Sequence, residues 1–209
     1  SVDALAVALH AVHRGDVRSR DPAVVIGCGP IGLAVIAMLK ATGVRTVVAS
    51  DYSAGRRAMA EQVGADVVVD PATDSPWSTF EDSRYLTTAP ALFDLALASM
   101  KQLRAVPFLP WRPVLETAQR LGAGPRGPVV FECVGVPGII EQIVSHAPLL
   151  SRIVVVGVCM EPDTFRPSMA VNKEVELRFA FGYDPAEFAR SLAMIAGGSV
   201  DPSPLLTGT

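Results

Sequence analysis

The sequence predicts an α/β fold of the doubly wound kind, a six-stranded parallel sheet with helices on both faces. Three observations carry this. Short β-branched runs alternate with amphipathic stretches, the rhythm of strands joined by covering helices. Glycines stand where the helical stretches stop, at Gly43 and Gly64. Near the end, Val175, Leu177 and Phe179 alternate with Glu174, Glu176 and Arg178, as in a strand with one wetter face at a sheet edge.

In chain order, residues 5–13 read as a short helix leading to a loop at Gly15 and Asp16. Residues 23–26 form the first buried strand, 31–42 the helix after it, and 46–50 the second strand. Ser53 can cap a helix running to about Val63, because its hydroxyl can accept from a first-turn N–H. Residues 66–69, 129–133 and 153–156 are the next strands, with a helix near 138–145 and a turn at Pro148, Ser151 and Arg152. Residues 175–181 make the sixth strand, and a last helix over 185–196 ends at Gly197 and Gly198. Between residues 71 and 128 the rhythm fails. That segment holds Trp77, Trp111, Pro90, Pro107, Pro110 and Pro113, with a helix-compatible stretch at 91–103. A connection so long points to a helical or irregular insertion at about 72–128.

With 209 residues the chain can bury one good-sized core, or one core plus an appendage. Half the residues are hydrophobic and 19% are charged, a globular composition. A net charge of -3, with Arg56 and Arg57 the one adjacent basic pair, argues against a nucleic-acid surface. Cys28, Cys133 and Cys159 lie far apart in apolar runs with no CxxC pair, so small buried thiols and a reducing cytoplasm are expected. Residues 23–39 are uncharged, yet Gly27, Gly29, Pro30 and Gly32 interrupt them, which fits a strand, turn and helix and not a membrane span. The start shows no signal peptide pattern.

The chemistry-bearing motif is Gly27-Cys28-Gly29-Pro30-Ile31-Gly32, a G-x-G-x-x-G turn between a strand and a helix. Gly27 allows the tight turn, Gly29 removes a side chain that would block a pyrophosphate, and Gly32 lets helix and strand approach closely. The helix N-terminus then offers N–H groups and partial positive charge to phosphates, and Pro30 suits its first turn. Asp51 follows nineteen residues after Gly32, where an acidic residue ends the second strand and accepts from ribose hydroxyls. These are the marks of a Rossmann domain. The carboxylate favours NAD over NADP, while Arg56 is placed to attract a 2′-phosphate.

The order of these blocks resembles the coenzyme-binding domain of the medium-chain, zinc-type alcohol dehydrogenases. The matching stretches are VIGCGPIGLAVIAMLKATG, VVASDYSAGRRAMAEQVGADVVVDP, VVFECVGVPG, RIVVVGVCMEP and NKEVELRFAFGY, which cover most of the chain outside the insertion. The resemblance implies contacts to the adenosine ribose from Arg56, to the adenosine side from Cys133 and Val134, and to the nicotinamide end from Val156, Gly157, Val158 and Phe181. With Gly27, Gly29, Pro30, Ile31, Gly32, Asp51 and Tyr52 they make the expected cofactor-binding set. It implies no catalytic residue in this chain. The GroES-like catalytic domain and its catalytic zinc ligands are not among these residues. Residues 1–14, with ALAVALHAV, resemble the crossover helix from that domain, and 15–209 the NAD-binding domain. Asp3 falls where a zinc ligand stands or lies near in some members, though a helix N-cap explains it as well. His10 and His13 share a helix but lack a third ligand nearby, so an ordinary helix-surface role is expected.

The resemblance therefore implies the cofactor part of an oxidoreductase that exchanges hydride between nicotinamide and an alcohol or carbonyl, with zinc polarising the oxygen. A zinc-free quinone-reductase-like enzyme and a non-catalytic NAD-binding or interaction module stay open. A methyltransferase also uses a glycine-rich first loop, but the Pro-Ile-Gly continuation and the sixth strand count against it. The resemblance also implies a homodimer through residues 175–181, with Glu176 and Arg178 able to pair across the twofold.

Overall fold

A computed structural model of the chain describes residues 2–80, 89–106, 110–120 and 125–205. Residues 81–88, 107–109 and 121–124 of the expected insertion lie outside the described residues. The elements run α1 (Val2–Gly15), β1 (Ala23–Ile26), α2 (Pro30–Ala41), β2 (Val47–Ser50), α3 (Ala54–Val63) and β3 (Val67–Val69). Between β3 and β4 stand α4 (Ala89–Ala105) and α5 (Trp111–Arg120). Then come β4 (Val129–Glu132), α6 (Ile139–His146), β5 (Arg152–Val155), α7 (Pro167–Asn172), β6 (Glu176–Phe179) and α8 (Pro185–Ala196).

The six strands form one parallel sheet in the order β3-β2-β1-β4-β5-β6. Strand alternation splits the core into two layers. Val25, Ala49, Phe131 and Val154 face Leu5, Leu9, Ile36 and Leu39 of α1 and α2. Val24, Val48, Val130 and Ile153 face Ile143 and Val144 of α6. The first three strands thus return through α2 and α3 on one face, and the last three through α6 and α7 on the other, as right-handed crossovers require. The order reverses between β1 and β4, which opens a crevice beyond their carboxyl ends. Register aligns those ends: Ile26 pairs with Ser50 on one side and with Glu132 on the other. Gly27, Asp51 and Cys133 therefore leave the sheet side by side.

The opposite end is locked by charge. Arg152, 4% exposed, reaches Asp21 at 2.6 Å and donates to the carbonyls of Gly15 and Asp16 at 2.7 and 2.6 Å. Burial pulls this guanidinium below its usual range, while the Asp21 hydrogen bond holds it up.

Several boundaries differ from the sequence expectation. The first helix spans Val2–Gly15, because Asp16 with φ 45° ends it and not His13. The sixth strand is Glu176–Phe179, so Phe181 lies beyond it. Its alternation holds at Val175 and Leu177, which pack against the core while Glu174 and Glu176 are exposed, and fails at Phe179, which is 62% exposed; Arg178 pairs with Glu176 of its own chain at 3.0 Å (Nε). The strand has one sheet neighbour, β5, and stands at the sheet edge as expected. Helix α5 contains Pro113, which is tolerated because the first turn needs no N–H partners. Helix α7 is six residues long, too short to show a helical period.

Candidate cofactor-binding site

The turn after β1 uses its three glycines differently. Gly27 has φ 91°, and a Cβ there would stand 2.7 Å from Val134 Cγ2. A Cβ on Gly32 would stand 1.9 Å from the Gly27 carbonyl oxygen. The fold itself demands both glycines. Gly29 is another case: its φ of -72° and ψ of -174° suit any residue, and a Cβ there would meet nothing within 4 Å. No side chain caps the first turn of α2, where Pro30 occupies the start. The N–H groups of that turn keep their capacity for an anion.

Asp51 leaves β2 beside this turn and is 8% exposed. Its Oδ2 accepts from the Cys28 N–H at 2.8 Å and its Oδ1 from the Ser53 N–H at 2.8 Å. Each oxygen has a second lone pair, so holding the turn does not exhaust the carboxylate. The Arg56 guanidinium stands 3.7 Å from Oδ2 and is well exposed. Ser53 caps α3 as expected, accepting from the Arg56 N–H at 3.4 Å. Arg57, which the sequence did not single out, donates to the carbonyls of Asp51 and Tyr52 at 2.8 Å each and pairs with Asp70 at 2.9 Å. It ties the loop after β2 to the loop after β3.

Around these groups lies an open cleft of about 1310 Å³. Gly27, Gly29, Pro30, Asp51, Tyr52 and Arg56 line one side, and Cys133 and Val134 the other. Residues 71–77 and the α6 side chains Gln142 and His146 complete it. Ile31, Gly32, Val156, Gly157, Val158 and Phe181 are not part of this lining. Val156 is buried, whereas Val158 and Phe181 stand exposed at 69% and 90%. Gly157 meets the neighbouring loop: a Cβ on it would lie 2.4 Å from the Gly135 nitrogen.

A second residue the sequence reading missed is Glu132, at the end of β4 and 1% exposed. Its Oε1 accepts from the N–H groups of Val134 and Gly135 at 2.7 and 2.8 Å. The signal was present, since a carboxylate closing an apolar strand must find partners.

Cys28 is buried, and burial with the nearby Asp51 charge pushes its thiol up to about 12. Burial, then Glu132, also raises the Cys133 thiol well above the usual value. Both thiols are thereby held in the protonated form at neutral pH. Cys133 and Cys159 are half-buried, so the expectation of three buried residues holds fully for Cys28 alone.

Asp3 lies inside α1 rather than before it, so it is not an N-cap, and its Oδ1 accepts from the Tyr183 hydroxyl at 2.7 Å. Among the described residues no group of three His, Cys, Asp or Glu side chains could hold a metal ion. His10 and His13 are not ordinary surface residues. Their Nδ1 atoms lie 2.9 and 2.8 Å from the two oxygens of Glu187, joining α1 to α8. Glu187 also completes a capping box with Asp184 at the start of α8.

An open parallel sheet with a glycine turn, an uncapped helix N-terminus and an acidic residue after β2 is the architecture of a Rossmann-like domain. The chain belongs to the zinc-binding dehydrogenase family, whose sequence model matches residues 30–197, and corresponds to its coenzyme-binding domain. It is 30% identical over 207 residues to (R,R)-butanediol dehydrogenase of Bacillus subtilis (strain 168), covering 99% of this chain and 48% of that protein. It is 27% identical over 206 residues to sorbitol dehydrogenase of Homo sapiens, covering 99% and 47%. The crystal structure of 2R,3R-butanediol dehydrogenase from Bacillus subtilis superposes with a TM-score of 0.68 at 29% identity, over 99% of this chain and 48% of that one. The chain spans about half the length of the curated relatives it matches.

Proposed function

We propose that this chain binds NAD(H), in preference to NADP(H), as the cofactor part of a zinc-type dehydrogenase acting on an alcohol or carbonyl. The carrying observation is Gly29, a glycine that the fold does not need, open to space above an uncapped helix start and beside Asp51. The cradle fits a pyrophosphate, and the free lone pairs of Asp51 fit ribose hydroxyls. Bound nicotinamide supplies the hydride exchange. This chain's residues hold and orient it: the α2 N-terminus on the phosphates, Asp51, Tyr52 and Arg56 at the adenosine ribose. Cys133 and Val134 wall the adenosine side, and Val156, Gly157, Val158 and Phe181 serve the nicotinamide end. The relatives' names favour a diol or polyol as the alcohol class. In this reading residues 1–14 are the crossover helix and 15–209 the cofactor domain. Asp3 is the one zinc-ligand candidate that the resemblance offers in this chain. Calorimetric titration with NADH and NADPH tests the reading; tighter or equal NADPH binding refutes the part assigned to Asp51.

The same reading includes a homodimer through residues 175–181, supported by the free edge of β6 and by exposed Phe179 and Phe181. A monomer by light scattering at tens of micromolar overturns it. Free cysteines suit a reducing cytoplasm, and no described helix is long and apolar enough to cross a membrane.

A further inference from the structure

Residues 71–77 open the insertion, yet they line the same cleft as the glycine turn and Asp51. Sheet order explains why. β3 lies beyond β2 as seen from β1, so the chain leaving β3 stands past Asp51 on the side away from the helix that receives the phosphates. A base attached to a ribose at Asp51, and pointing away from those phosphates, meets this wall.

The wall is built rather than loose. The Asp70 carboxylate accepts from the Ala72 N–H at 3.0 Å, and its carbonyl from the N–H groups of Thr73 and Asp74 at 3.0 and 2.9 Å. Asp74 Oδ1 accepts from the Ser75 N–H at 2.7 Å, and Ser75 Oγ from the Trp77 N–H at 3.2 Å. Arg57 joins Asp70 to the Asp51 carbonyl, so ribose site and wall share one anchor. Trp77 is half-buried, packed against the core layer that includes Val69 and Ile143, and it still lines the cleft. An indole fixed on one side by core and open on the other to a cavity is a stacking platform for a flat base.

We propose that Trp77 forms the base wall of the dinucleotide cleft and lies against the adenine, so that a residue of the insertion sets base recognition. This rests on the dinucleotide reading above.

The test uses the 209-residue chain with ADP-ribose, NADH and nicotinamide mononucleotide as probes. Trp77→Ala should weaken ADP-ribose and NADH by about tenfold through the lost stacking, leave nicotinamide mononucleotide unchanged, and be largely rescued by Trp77→Phe. In a Trp111→Phe background, ADP-ribose should quench the fluorescence of Trp77. ADP-ribose does not absorb that emission, so quenching reports contact, and this measurement needs no change at Trp77. A folded Trp77→Ala with unchanged ADP-ribose affinity, or no quenching at saturating ADP-ribose, overturns the proposal while leaving the dinucleotide reading intact. A wild-type chain that binds neither ADP-ribose nor NADH overturns both.

Discussion

Replacing Gly29 by alanine separates what the fold needs from what a ligand needs. The backbone at Gly29 is extended and already suits the residue before a proline, and the added methyl meets nothing within 4 Å. Alanine therefore costs no native strain and removes freedom from the unfolded chain, a gain of about 0.4–1 kcal/mol. For a chain of this size that raises the melting temperature by about 1–4 °C. The same methyl occupies the approach of the pyrophosphate to α2. An overpacked contact costs about 1–3 kcal/mol, which weakens NADH binding about 5- to 150-fold. Gly32→Ala is the control: its methyl would lie 1.9 Å from a backbone oxygen, so it should destabilise by about 3 kcal/mol before any ligand is added. Thermal melts and calorimetric NADH titrations of the three proteins suffice. A Gly29→Ala protein that melts no lower than wild type and binds NADH within twofold of it would refute the assignment of this turn to phosphate.

Asp51→Ala should narrow the preference for NADH over NADPH, read by titrating both, and destabilise by about 1–3 kcal/mol, since the N–H groups of Cys28 and Ser53 lose their acceptor. Arg152→Met should destabilise by about 3 kcal/mol, because it leaves Asp21 and two carbonyls in a buried site short of a partner; urea melts check this. Burial raises the Glu187 carboxyl, but hydrogen bonds from His13, the Asp184 N–H and His10 outweigh it and hold the group below its ordinary value. A depressed carboxyl stabilises the fold above its unfolded pKa, and that stabilisation is lost as pH falls through the folded one. The stability gap between wild type and Glu187→Gln should accordingly be full at pH 6 and shrink towards pH 3; a gap that widens on acidification contradicts the sign.

Much of the site was legible because its residues answer to local chemistry. Ser53, Gly64 and Pro30 each act within one turn of the chain, and each does what a cap, a left-handed stop and a helix start require. Glu187 was not legible, because its partners His10 and His13 are more than 170 positions away and meet it only when α8 packs on α1. Arg57 looked like half of a basic pair; the Asp51 and Tyr52 carbonyls are local partners, but Asp70 becomes its neighbour only through the pairing of β2 with β3. Helix α7 was missed because six residues are too few to show a helical period, whereas the capping box was legible in the spacing of Asp184 and Glu187 and was passed over.

By itself the sequence determined the alternation of strands and helices, the glycine turn and the acidic residue that ends β2. These depend on side-chain size, backbone freedom and spacing along one stretch of chain. The tertiary structure alone decided that residues 71–77 stand over the cleft, that Asp51 bonds the Cys28 N–H, and that Glu132 closes the facing loop. It also decided which of the three glycines the fold can spare. These facts depend on register and strand order, which bring Gly27, Asp51 and Cys133 abreast at the carboxyl end of the sheet although the chain holds them far apart.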